Sequence, residues 1–231
     1  MIDWLQEKSQ PYFPETSKAQ REPNGLLAAG GQLTPSWLIA AYRRGVFPWF
    51  EDNSPILWWS PAPRMVLKAE DFRLGRTLRK LIKKGQFKIS CDLAFEEVIY
   101  QCAQPREGEA GTWITQEMER AYIRLNKNGI SHSVECWNQQ GELIGGLYGI
   151  QINRVFYGES MFSRENNASK LVFAHFAFFL FASGIALIDC QMHSDHMAQF
   201  GAAEISRVEF EVLLAELVKQ PHTIQYPKFL T

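Results

Sequence analysis

Two polar residues near the end of a predicted strand have the types and spacing to position an amine. Asp189 and Gln191 alternate in LIDCQ, so a strand would project both side chains to the same face. Glutamine is not a base, but its carbonyl oxygen can accept a hydrogen bond from an amine, and Asp189 could orient that amide. The alternative is a polar pair at a strand end that satisfies turn amides.

Glu159 is a third candidate, because it lies in GESMF at the end of a predicted strand with apolar neighbours. A carboxylate in such surroundings needs a cationic partner. A charged ligand would supply one, and so would an ordinary ion pair with a surface Lys or Arg.

Trp49 in FPWF and Trp113 in GTWIT follow no period that would make them core residues. Each is therefore a candidate binding residue or a buried packing residue.

The segment CQMHSDH holds three potential metal donors, Cys190, His193 and His196, but no second cluster that would complete a tetrahedral site. We therefore expect no metal.

The four cysteines of the chain are scattered without a CxxC pair, which argues against a disulfide framework and fits a reducing cytosol. The N-terminus lacks a basic stretch followed by an apolar run, so we expect no signal peptide and a cytoplasmic protein.

Positive charge is concentrated in one part of the chain. Residues 64–88 contain nine Lys or Arg and two acids, a net charge of +7, so the remainder of this −1 chain carries −8. Within this stretch the pattern predicts an amphipathic helix over about 73–84 that ends at Gly85. A solvated surface helix is the ordinary alternative, but a local basic stripe is typical of a polyanion partner. The candidate nucleic-acid-binding residues are Arg76, Arg79, Lys80, Lys83 and Lys84.

The order of the predicted strands and helices that carry these residues indicates an α+β fold. Residues 1–65 are rich in Gly and Pro and predict a small, irregular N-terminal domain with a helix between Pro35 and Gly45. From His132 onward, HSVECW, LIGGLYGI and VFYGESMF predict three consecutive strands. A helix over about 168–183 and the strand IALIDCQ follow, then a last helix. This order predicts a mixed sheet.

One apolar run is consistent with either a membrane-spanning helix or a buried core element. Residues 171–188 carry no formal charge over eighteen positions, which is close to the ~20 that span a bilayer. Ser183-Gly184 has the character of a helix end, and a buried strand pattern follows it. We therefore expect a core helix followed by a core strand, and no membrane association.

Several motifs in a fixed order resemble the leucyl/phenylalanyl-tRNA–protein transferases. They are PNGLLAAGGQL, GVFPWF, ILWWSPAPR, GTWIT, GESMFS and LIDCQ, within about residues 21–204. The resemblance implies the small N-terminal domain joined to an acetyltransferase-like (GNAT-like) domain, residues 66–231. It also implies transfer of Leu or Phe, and less well Met, from aminoacyl-tRNA to proteins that begin with Arg or Lys. Such transfer tags proteins for N-degron proteolysis and uses no cofactor.

The same resemblance implies roles for the candidate residues. Asp189 and Gln191 would form the catalytic pair. Glu159 and Asp189 would form an acidic rim that binds the positively charged N-terminal side chain of the acceptor protein. Trp49 and Trp113 would clamp the 3′-terminal adenosine. The candidates for the apolar pocket, which could equally be plain core residues, are Leu147, Phe156, Phe176 and Ile188.

Two other function classes share parts of this pattern. A coenzyme-A-dependent acetyltransferase would need a Gly-rich pyrophosphate loop at a helix start, yet only SRENNAS lies between GESMF and the next helix. A non-catalytic tRNA-binding protein would explain the basic helix but give no role to Glu159, Asp189 and Gln191.

Overall fold

The computed structural model describes residues 2–7, 10–105 and 113–230. The helices are α1 (Pro35–Tyr42), α2 (Arg76–Lys84), α3 (Phe95–Cys102), α4 (Gln116–Lys127), α5 (Ala168–Ala182), α6 (Asp195–Ala198) and α7 (Arg207–Leu217). The first strands are β1 (Asp3–Leu5), β2 (Leu26–Gly30), β3 (Phe47–Pro48), β4 (Leu57–Trp59), β5 (Arg64–Lys68) and β6 (Lys88–Cys91). The later strands are β7 (Ser131–Trp137), β8 (Leu143–Ile152), β9 (Val155–Ser163), β10 (Leu187–Gln191) and β11 (Ala203–Ile205).

The strands form two sheets. The smaller sheet has the order β1-β2-β4-β3, and the larger has the order β11-β5-β10-β9-β8-β7-β6. In the larger sheet β10 runs parallel to β9, whereas the other neighbours are antiparallel. This mixed sheet with helices confirms the predicted α+β class. The division into domains at residue 65 stays a prediction.

The N-terminal part is more regular than predicted. It contains a four-stranded sheet, but three of its strands have only two or three residues, too few to show a period of two in the sequence. The predicted helix is α1, with Pro35 in its first turn. Gly45 adopts a φ of 70°, and a Cβ there would lie 2.5 Å from the Phe210 ring. Glycine is required at that position on both counts.

The three predicted strands of the meander and the helix that follows them are present as β7, β8, β9 and α5. The eighteen-residue apolar run forms α5 and β10, as predicted. No helix in the described ranges is both long and apolar enough to cross a membrane. The basic helix begins at Arg76 rather than residue 73, because the Arg73 N–H donates to the Phe200 carbonyl at 2.9 Å and Gly75 is extended.

The larger sheet separates two apolar clusters. One cluster joins α3, α4 and α7 to the N-terminal sheet, and the other packs α5 and α2 against the opposite face. Neighbouring β8 residues alternate between the two clusters. Leu147 belongs to the cluster with α5 and α2, and Tyr148 belongs to the cluster with α3, α4 and α7. Both faces of the central strands are therefore buried, which explains why LIGGLYGI shows no polar alternation.

Candidate active site

A cavity opens where β9 and β10 separate. The two strands pair only along Val155–Tyr157 and Leu187–Asp189, although β9 continues to Ser163 beside β8. The cavity has a volume of about 680 Å³ and lies beside the unpaired part of β9. Its size is within the usual range for a small-molecule site.

All four predicted pocket residues line this cavity, and each is also a core residue. Leu147, Phe156, Phe176 and Ile188 are at most 3% exposed. The rings of Phe156 and Phe176 meet edge to face with centroids 4.8 Å apart. Phe173 adds a further aromatic wall from α5. This part of the cavity has the apolar, preformed surface that an uncharged side chain requires.

Glu159 lies in the cavity wall two residues after the last β9–β10 pair. Its Oε2 accepts from the Tyr122 hydroxyl at 2.8 Å, and its Oε1 accepts from the Gln191 side-chain amide at 2.9 Å. The hydroxyl of Tyr122 also lies 2.6 Å from the hydroxyl of Tyr42, within hydrogen-bond distance. No Lys or Arg of the described chain forms an ion pair with this carboxylate.

Burial raises the pKa of Glu159 from 4.5 to about 7. The hydrogen bonds from Tyr42, Tyr122 and Gln191 act in the opposite direction, whereas the nearby charge of Asp189 adds to the rise. The carboxyl group therefore titrates near neutral pH. A bound cation would favour its ionised form.

The expected contact between Asp189 and the Gln191 side-chain amide is wrong. The β10 register shifts between these residues, and Gln191 adopts a φ of 64°, so the simple alternation of a strand does not hold. Its amide meets Glu159 instead, and Asp189 Oδ1 accepts from the backbone N–H of Gln191 at 2.9 Å. Asp189 thus satisfies a turn amide, which was the alternative interpretation of this pair.

Asp189 is also unable to form the expected acidic rim. It is fully buried, and its two oxygens accept from Nε and Nη2 of Arg64 at 2.8 and 2.7 Å. A carboxylate paired in this way is neither exposed nor available to an external cation. Of the two predicted acids, only Glu159 faces the cavity.

Sequence reasoning missed three residues that hold the site together. Arg64 was counted only as part of the basic stretch, and Tyr42 and Tyr122 were not considered. Arg64 carried one usable signal, because three apolar residues follow it in the strand RMVLK, where a buried cation requires a partner. The two tyrosines lie on α1 and α4, among other buried aromatic residues, and nothing in the local sequence distinguishes them.

The two predicted adenosine-binding tryptophans lie in different settings. Trp113 is half-buried and lines the cavity. Trp49 is 37% exposed, packs edge-on against Trp59 with centroids 5.3 Å apart, and is not among the described residues that line the cavity. Gly111 and Thr112 of GTWIT lie outside the described residues. Of the two tryptophans, Trp113 is therefore the one that the structure places at the cavity.

The five candidate cations of α2 are all exposed, and no described acid forms an ion pair with them. Leu78 anchors the helix, which packs against α5. The α5 residues Phe173 and Phe176 line the cavity, so α2 is one helix away from it. As for metals, the described part of the chain holds no group of three or more metal-ligating side chains.

Comparison with known families identifies the class of the chain. A model described as leucyl/phenylalanyl-tRNA protein transferase matches residues 66–215, and a model of the N-terminal domain of the same transferase matches residues 31–62. The chain belongs to the leucyl/phenylalanyl-tRNA protein transferase family. This confirms the resemblance, and the chain is an aminoacyltransferase.

Individual relatives agree with this assignment. A leucyl/phenylalanyl-tRNA–protein transferase from Saccharophagus degradans is 57% identical over 214 residues, which cover 92% of this chain and 88% of the relative. A transferase of the same name from Chromobacterium violaceum is 52% identical over 221 residues, which cover 96% and 94%. The match thus extends over nearly the whole length of both relatives.

Solved structures resemble this transferase more distantly. L-PGS from Bacillus licheniformis has a TM-score of 0.45 and 10% identity, with 84% of this chain and 73% of that chain covered. A GCN5-related N-acetyltransferase-like protein from Streptococcus suis has a TM-score of 0.36 and 16% identity, with 75% and 66% covered. Such scores carry no argument about activity.

Proposed function

We propose that this transferase moves leucine or phenylalanine, and less well methionine, from aminoacyl-tRNA to the α-amine of proteins that begin with Arg or Lys. The observation that carries the proposal is the Gln191–Glu159 pair beside a cavity of about 680 Å³ that has an apolar wall. The apolar wall suits the transferred side chain, and the carboxyl group suits a cationic acceptor. The reaction would need no cofactor, and in the cytoplasm its product would be a substrate for N-degron proteolysis.

The chemistry is aminolysis of an ester, and positioning supplies most of the rate. The acceptor nitrogen attacks the ester carbonyl, a C–N bond forms, and the 3′-oxygen of the tRNA leaves with a proton from the amine. An α-amine has a pKa near ~8, so a fraction is neutral without a strong base. Gln191 donates its amide to Glu159, which leaves its carbonyl oxygen to accept from the amine and orient it.

The donor end of tRNA would occupy the apolar side of the cavity. The amino-acid side chain would lie against Leu147, Phe156, Phe176 and Ile188, and the terminal adenine would stack on Trp113. Stacking of a base on an aromatic ring contributes about 1–3 kcal/mol. Trp49, which directly follows β3 of the N-terminal sheet, would contact the nucleotide from outside the cavity. An apolar pocket separates Leu, Phe and Met poorly, since one methylene is worth only ~1–3 kcal/mol.

The exposed cations of α2 would bind the acceptor stem through its phosphates. Changing Arg76, Lys80 and Lys84 together to Ala should weaken tRNA binding and flatten its dependence on salt. Each lost duplex phosphate contact lowers the magnitude of the log–log slope by about 0.9. Affinity is measured by fluorescence titration over a range of salt concentrations.

A variant with three other exposed cations removed, Lys127, Lys219 and Lys228, is the control with matched charge. It should show a smaller loss than the α2 variant. If the α2 variant binds tRNA like the wild type at every salt concentration, the acceptor stem lies on another surface.

Incubation with leucyl-tRNA and a peptide that begins with Arg tests the proposed function. We expect the peptide to gain one leucine at its N-terminus, as detected by mass spectrometry, because its free α-amine is the nucleophile. The same peptide with an acetylated N-terminus should gain none. A non-catalytic binding protein would leave both peptides unchanged, and an acetyltransferase would modify the free amine only with acetyl-CoA. Either outcome would refute the proposal.

A further inference from the structure

A buried arginine lies behind the site. Arg64 is 1% exposed, and it pairs with Asp189 through two parallel hydrogen bonds. Its guanidinium carbon lies 5.0 Å from the ring centroid of Phe47 and 4.7 Å from that of Phe210. Two aromatic faces and one carboxylate therefore fix the planar cation, an arrangement that lysine does not reproduce.

The carboxylate held by Arg64 supports an unusual backbone conformation. Asp189 Oδ1 accepts from the backbone N–H of Gln191 at 2.9 Å, and Gln191 adopts a left-handed φ of 64°. A residue with a side chain persists in that region only where its surroundings impose it. The β10–β5 register shifts at the same point, and the turn directs the Gln191 amide to Glu159 at 2.9 Å.

We propose, as an inference that rests on the proposed function, that Arg64 is a positioning residue for aminoacyl transfer. It holds Asp189, Asp189 holds the turn at Gln191, and Gln191 meets the amine. In this arrangement the essential feature of Asp189 is the oxygen that accepts from the Gln191 N–H. Its negative charge serves to pair with Arg64 and takes no direct part in the reaction.

Three variants, R64Q, D189N and R64Q/D189N, separate positioning from a direct effect of charge. Each single substitution leaves one buried charge without its partner. Both should lower kcat at least about tenfold, as expected for residues in one network. The double variant replaces the ion pair by two neutral amides and keeps an oxygen at position 189 that can accept from the Gln191 N–H. Its kcat should return to within about fivefold of the wild type, because contacting residues are coupled.

Two further measurements distinguish positioning from loss of fold. The ¹⁵N and ¹H shifts of the Gln191 side-chain amide should move in both single variants and return in the double variant, whereas thermal unfolding reports global stability. R207Q is the matched control, because Arg207 is a partly buried arginine that donates to Ser60 and not to Asp189. Its kcat should be unchanged.

Several outcomes would overturn the inference. One is a folded double variant as inactive as D189N, which would show that the charge of Asp189 acts directly. Another is wild-type kcat in either single variant. If the single and double variants do not fold, R64K keeps the charge without the two-pronged geometry, and wild-type kcat in R64K would overturn the inference as well. A wild-type protein that transfers no leucine would instead refute the proposed function.

Discussion

Replacing Gln191 with Ala is expected to lower kcat for transfer by about a hundredfold, the size of effect that misplacement of a reacting group produces. The substitution removes the oxygen that we propose to orient the amine, together with the amide that donates to Glu159. Affinity for charged tRNA should barely change, because Gln191 does not contact the nucleotide in this mechanism. Single-turnover transfer to an Arg-led peptide measures the chemical step, and a binding titration measures tRNA affinity.

The neighbouring residue provides the control for this prediction. Met192 follows Gln191 in the chain and is 47% exposed, and the hydrogen bonds to the Glu159 carboxylate come from Tyr122 and Gln191 and not from Met192. Met192→Ala should therefore transfer at the wild-type rate. A Gln191→Ala protein whose single-turnover rate equals that of Met192→Ala would show that another group orients the amine.

The long elements of the fold were predictable from the sequence because their signals are local. The strands β7, β8 and β9 are seven to ten residues long and separated by turns, and α5 has fifteen residues. In contrast, the N-terminal strands β3 and β4 are too short to show any periodicity. Their pairing depends on contacts between distant segments, such as the hydrogen bond from Trp58 to the Gly30 carbonyl.

The site was predictable only as far as its residue types. The strand pattern correctly placed Asp189 and Gln191 near a strand end. The alternation of side chains predicted for them is wrong, because a bulge adds a residue and turns the chain there. That bulge is supported by Arg64, which is 125 positions away from Asp189 in the sequence. A local pattern contains no information about a partner at that distance.

The surroundings of Glu159 show the same limit. The sequence indicated a carboxylate that needs a partner, and a cation was expected. The structure supplies neutral donors instead, from Tyr122 and Gln191, so that the group stays without a compensating charge. Because no described Lys or Arg forms an ion pair with Glu159, its carboxylate would be free to pair with a cationic acceptor.

Glu159→Gln is expected to raise the KM for an Arg-led peptide by roughly ten- to a hundredfold, the equivalent of one hydrogen bond to a charged group. The glutamine keeps the shape of the side chain but removes the charge that, in the proposed function, attracts the acceptor. A peptide that begins with Ala should be affected much less. Steady-state kinetics with the two peptides at saturating charged tRNA measures the difference.

The pH dependence should identify the same carboxyl group. Burial raises the pKa of Glu159 to about 7, so the ionised form that binds a cation becomes populated as pH rises through that value. For the wild type, kcat/KM with the Arg-led peptide should therefore rise near pH 7 and again near ~8 as the α-amine loses its proton. In Glu159→Gln only the second rise should remain. If the rise near pH 7 persists in this variant, another group controls acceptor binding.

At pH 8, Glu159→Gln should raise the stability of the fold although it weakens acceptor binding. The pKa is raised on folding, from 4.5 to about 7, so the stability associated with the neutral carboxyl group is fully present below pH 4.5 and is lost as pH rises through 7. The loss is on the order of 3 kcal/mol for a shift of this size. At pH 8 the variant should therefore unfold at a higher temperature than the wild type while it binds the acceptor more weakly. A variant that is less stable than the wild type at pH 8 would show that the hydrogen bonds accepted by the two Glu159 oxygens outweigh the cost of burying its charge.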